Sequence, residues 1–130
     1  MLAVDTNVII RYLTRDDAAQ FAKADALVKS NDLHVCTTVL LETEWVLRHG
    51  YRFSRAEIVK ALGAFAGLPR VTLEDPALAA QALDWMGRGM DFADALHLAK
   101  ASECEVFVSF DRRLATSAGR VGAAVKVRSP

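Results

Sequence analysis

The chain has only two cysteines, three prolines and seven glycines in 130 residues, and each scarcity removes a class of protein. Cys36 and Cys104 stand too far apart in sequence to act as a disulfide framework. Both lie in apolar runs, which predicts two buried, reduced thiols and a cytoplasmic protein. With so little proline and glycine, no persistent heptad, 52% hydrophobic residues and 25% charged ones, neither a disordered tail nor a coiled coil is compatible. An excess of one charge sign is also missing. Sixteen basic side chains face sixteen acidic ones, so a uniformly basic coat is excluded, and any contact with phosphates must come from a local patch. Long hydrophobic runs are absent too. The opening Met1-Leu2-Ala3-Val4 is interrupted by Asp5, so no targeting segment is expected. The other uncharged stretches fall short of the ~18 residues of a membrane span. Zinc-ligand spacing is lacking, because His34, His49, His97 and the two cysteines are scattered. No G-x-G-x-x-G or phosphate loop occurs, and no G-x-S-x-G turn.

What remains is a single domain over residues 1–130, with short apolar runs alternating with helical patterns. Leu2-Ala3-Val4-Asp5 reads as a buried strand entering a helix from Thr6 to about Leu13. A helix from about Asp17 to Ser30 places Ala18, Phe21, Ala22, Leu27 and Val28 on one face. Leu33 to Cys36 is the next strand, followed by a helix capped at Thr37 or Thr38 and ending near His49. Ser54-Arg55-Ala56-Glu57 is a capping box, and its helix runs to about Gly67. Val71-Thr72-Leu73 is a third strand. Asp75-Pro76 opens a helix to about Gly87 or Gly89, and Asp91 caps another to about Ser102. Strands at Glu105–Ser109 and near Ala124–Val127 flank a short helix from about Arg112. This alternation predicts an α/β fold, a three-layer α/β/α sandwich with a mainly parallel central sheet. Ligands of such folds bind beyond the carboxyl ends of the strands.

Four carboxylates look out of place against that background. Asp5 closes the first strand, and Asp111 lies two residues past the strand ending at Ser109, so parallel strands would bring both to one edge. Helix capping and turn formation explain either of them equally well. On the helix ending at His49, Glu42 has Val46 roughly 40° to one side and Trp45 roughly 60° to the other. It is expected to project from an apolar stretch, with Glu44 and Arg48 on the polar side, which leaves a buried salt bridge or a site carboxylate as its role. Asp91 fits a cap, while Asp94 sits in the first turn between Leu98 and Ala101 on the wheel, a partly buried position. Should Asp5, Glu42, Asp94 and Asp111 converge, they could not all stay ionised without a cation. Hard divalent ions remove that penalty, and metal-assisted attack of water on a phosphodiester is the chemistry that fits. Arg112 and Arg113, directly after Asp111, would then meet substrate phosphates.

With these residues in view, the chain resembles PIN-domain ribonucleases of the short VapC type, the toxins of prokaryotic toxin–antitoxin pairs. The matching pieces are Leu2-Ala3-Val4-Asp5-Thr6-Asn7-Val8, Leu40-Leu41-Glu42-Thr43-Glu44-Trp45-Val46-Leu47, Asp91-Phe92-Ala93-Asp94-Ala95-Leu96-His97-Leu98-Ala99 and Val108-Ser109-Phe110-Asp111. They follow the family's order and cover essentially the whole chain. The resemblance implies a Mg²⁺- or Mn²⁺-dependent endoribonuclease whose acids and metal ligands are Asp5, Glu42, Asp94 and Asp111. Thr6, Asn7 and Ser109 would support them through hydrogen bonds, and Asp91 would replace or assist Asp94. It also implies a homodimer, with a cognate antitoxin peptide covering the acidic groove. The apolar helices Ala18 to Val28 and Ile58 to Phe65, richer in hydrophobic surface than one small sheet needs, agree with a partner face. Two other readings compete: a catalytically silent RNA- or protein-binding module on the same fold, and a phosphatase with Asp5 as nucleophile. The second normally wants an acid two residues on, where this chain has Asn7.

Overall fold

The computed structural model describes residues 1–130, which form two compact units, Met1–Pro76 and Ala77–Pro130. In the first unit the order is β1 (Leu2–Ala3), α1 (Thr6–Thr14), α2 (Ala18–Ser30), β2 (Leu33–Val35), α3 (Thr37–His49), α4 (Arg55–Ala66) and β3 (Val71–Leu73). The three strands pair in parallel in the order β1-β2-β3, with Leu2 opposite Leu33 and Leu33 opposite Val71. Period-two burial decides the central strand. Leu33 and Val35 point inward and are buried, with His34 half-buried between them. In the same unit Ile9, Leu47, Ile58 and Leu62 are wholly enclosed.

Local chemistry sets the helix limits. The Asp17 side chain accepts from the Gln20 amide at 2.9 Å, opening α2. Ser54 and Glu57 close a reciprocal capping box at the start of α4, with Glu57 accepting from the Ser54 amide at 2.8 Å. At α3 the cap position is Cys36, one residue before the expected threonines, and the Glu74 carboxylate accepts from the Thr37 amide at 2.8 Å.

α5 (Pro76–Gly87) leads from the end of the first unit into the second, which continues with α6 (Phe92–Lys100), β4 (Val106–Val108), α7 (Arg112–Val121) and β5 (Lys126–Arg128). β4 and β5 are parallel, Val106 facing Lys126. Ala82, Phe92, Ala95 and Leu98 form the buried faces of α5 and α6, and Leu114, Ala118 and Val121 that of α7. Gly122, at φ 71°, provides the left-handed turn that ends α7.

The mixed α/β class is as expected, with seven helices and only parallel strand pairs, consistent with a PIN-like α/β/α arrangement. The hydrogen bonds fall into two ladders, three strands and two, where one central sheet was anticipated. Three expectations need correction. Cys104 is exposed and Cys36 only half-buried, because Cys104 lies in the turn ahead of β4 and not inside a strand; both thiols are free. The apolar positions Ile58, Leu62 and Phe65 of α4, expected to add to a partner face, are buried within the chain. Thirdly, α3 is turned so that Glu44 faces inward. No helix is long and apolar enough to cross a membrane.

Candidate functional site

In the first unit the acids of interest are carried by the β1–α1 junction and by α3. Asp5 holds the N-cap position of α1 with extended backbone (φ −84°, ψ 165°), yet its side chain makes no capping bond. Its carboxylate is exposed and free of the role that would explain it structurally. Thr6, next along, is buried, and its hydroxyl donates to Oε1 of Glu42. A charge-assisted bond of this kind fixes the orientation of a carboxylate that its own helix would leave free to rotate. Asn7 is exposed and lies on a groove of 190 Å³ between α1 and α2, bordered also by Val8, Ala24 and Leu27.

Glu42 itself is exposed, which overturns the expectation of an apolar setting. Trp45, one turn on, is 56% exposed, and its ring lies 4.7 Å from that of His49. The buried acid of α3 is Glu44, 1% exposed and paired with Arg48 one turn later at 2.8 Å. Helical spacing gives only angles between side chains. Which stripe faces the core is decided by what packs against the helix, and here that stripe contains Leu40, Thr43, Glu44 and Leu47.

In the second unit Asp94 occupies the first turn of α6, half-buried. Burial, reinforced by the charges of Asp91 and Asp111, raises its carboxyl above the usual carboxylate range, and His97 partly offsets this. Asp91 caps α6, accepting from the Asp94 amide at 3.2 Å. Asp111 caps α7, accepting from the Arg113 amide at 2.9 Å, while its own amide donates to the Ser109 hydroxyl at 3.0 Å. Arg112 and Arg113 are exposed on the first turn of α7. His97 had no role assigned from the sequence; its spacing of three from Asp94 was the available signal.

The structure therefore places Asp5 and Glu42 in one unit, and Asp94, Asp91 and Asp111 in the other. In neither unit do three acidic, histidine or cysteine side chains stand close enough to hold a metal ion, so the expected fourfold cluster is not seen there. The donors nevertheless suit a hard divalent cation in kind, being carboxylate oxygens alone. Asp94 carries the like-charge penalty that a cation relieves.

A model of the PIN domain family matches residues 2–119 of the chain. No curated protein matches it.

Proposed function

The chain belongs to the PIN domain family, whose members are generally nucleases that use divalent metals, and from this premise we propose that it is a metal-dependent endoribonuclease. The observation that carries the reading is the match of the PIN domain family over residues 2–119, within which Asp94 stands half-buried in the first turn of α6 and Asp91 caps that same turn. Asp94 and Asp111 are proposed as ion ligands with Asp5 and Glu42, and Asp91 assists Asp94. Mg²⁺ or Mn²⁺ would supply Lewis acidity, lowering the pKa of a water molecule and neutralising charge on the phosphodiester. The chain's own groups do the rest. Thr6 holds the Glu42 carboxylate in one orientation. The backbone amides at the start of α7 hold that of Asp111, and Ser109 steadies the turn before it. Arg112 and Arg113 attract the RNA backbone.

The proposal extends to a cytoplasmic toxin kept inactive by a cognate antitoxin. The groove between α1 and α2, apolar along Val8, Ala24 and Leu27, is of a kind that accepts an apolar peptide side chain. A homodimer belongs to the same proposal, and light scattering that finds a monomer at high concentration counts against it. The central test is cleavage of RNA by purified protein with Mg²⁺, with EDTA, and after Asp94→Asn. Cleavage that disappears in both of the latter supports the assignment, and equal cleavage in EDTA defeats the metal mechanism. A second reading, a binding module without catalysis, draws on the lack, within either unit, of three acidic, histidine or cysteine side chains placed to hold a metal ion. It predicts RNA or protein binding with no cleavage under either metal.

A further inference from the structure

We propose that the exposed face of α7 is a track for the sugar–phosphate backbone of single-stranded RNA, anchored at its far end by Arg120. The identity of the polyanion as RNA rests on the nuclease reading above; the anionic character of the ligand does not. α7 carries three arginines and no acid, in a chain whose sixteen basic and sixteen acidic side chains cancel overall. Its buried stripe is Leu114, Ala118 and Val121, at helical spacing. Arg112, Arg113, Thr116, Ser117 and Arg120 are left on the other side, where they line an open groove of 370 Å³.

Helix stability does not account for this arrangement. Arg120, in the last turn, complements the helix dipole, but Arg112 and Arg113 stand at the positive end, where a cation is disfavoured. No ion pair engages any of the three. From Arg112 to Arg120 the helix rises roughly 12 Å, enough to meet two or three successive phosphates.

The far anchor is held in place. A guanidinium nitrogen of Arg120 donates to the Ser117 hydroxyl at 3.3 Å, which lays the side chain along the groove. Arg88, just after α5, donates to the carbonyl oxygens of Arg120 and Val121 at 3.2 and 3.4 Å, bracing the end of the helix. Gly89, at φ 108°, runs so close that a Cβ there would lie 3.3 Å from the Arg120 guanidinium. The groove begins one residue after Asp111, so a strand lying in it leads directly to a proposed ion ligand.

The experiment measures binding of a fluorescently labelled oligouridylate by anisotropy in EDTA across a range of salt concentrations, which separates binding from cleavage. Three phosphate contacts on a single strand weaken binding roughly 20-fold for a rise of about fourfold in salt. The variant Arg112→Gln/Arg113→Gln/Arg120→Gln should lose most of that dependence, and Arg120→Gln alone about a third of it. Arg120→Lys, which keeps the charge, should retain it, and circular dichroism confirms folding. An unchanged salt slope in the triple variant and in Arg120→Gln overturns the track, as does displacement of the RNA by polyglutamate as readily as by unlabelled RNA. Cleavage with Mg²⁺ is scored separately. Wild-type cleavage with no change of slope refutes the track and spares the nuclease reading; a lost slope without wild-type cleavage does the reverse.

Discussion

Thr6 combines burial with a single polar task, the donation of its hydroxyl to Glu42. Removing that donor should act on the carboxylate more than on the fold. Thr6→Val is expected to lower RNA cleavage by about 10- to 100-fold, as loss of a supporting hydrogen bond to a ligand does, while Thr6→Ser retains most activity. Equal rates for both variants would show that the hydroxyl does nothing for Glu42. Asp94 makes a different prediction. Its carboxyl is raised, so the native state holds the proton more tightly than the unfolded chain. Stability then falls as pH rises from the ordinary carboxylate value to the raised one, and the penalty persists above it. In EDTA near neutral pH, Asp94→Asn should melt above the wild type, with the gap closing in acid. Mg²⁺ should raise the melting temperature of the wild type and leave that of the variant unchanged. These roles differ in how far the sequence revealed them. Partial burial of Asp94 was legible because its wheel neighbours, Leu98 and the C-cap Ala101, lie within seven residues of it. The contact of Thr6 with Glu42 spans 36 positions and leaves no local trace.

Among the elements, α3 holds the most consequential pair. Glu44 is enclosed and Arg48 is 38% exposed, so removing the arginine leaves a carboxylate in the interior without its partner. Arg48→Met is expected to destabilise the protein by about 2–3 kcal/mol, less than a fully buried pair because the guanidinium is partly solvated. Glu44→Leu combined with Arg48→Met should recover most of the loss. Urea denaturation checks both, and a double variant no more stable than Arg48→Met would rule out the unpaired charge as the cause. The same helix shows where sequence reading ends. The Ser54–Glu57 capping box and the strand Val71–Leu73 were readable because three or four neighbouring residues specify them. The facing of α3 was not, since it depends on contacts with elements distant in sequence, and Trp45 consequently lies outside while Glu44 lies within. Strand ends suffered likewise: β4 stops at Val108, and Ser109 belongs to the turn that receives the Asp111 amide.

For the molecule as a whole, the balance of sixteen charges of each sign puts the isoelectric point at about 6.8. Self-repulsion vanishes near that pH, and solubility at low salt should pass through a minimum there, visible as turbidity, recovering on either side. A turbidity profile flat across neutrality would contradict this. The exposed thiol of Cys104 bears on any study of assembly. Air oxidation can join two such chains through an intermolecular bridge, and the product would have the mass of a dimer without its interface. Size measurements made without reductant should therefore contain a band that collapses on a reducing gel, whereas Cys104→Ser should report only the association that the folded surfaces themselves produce.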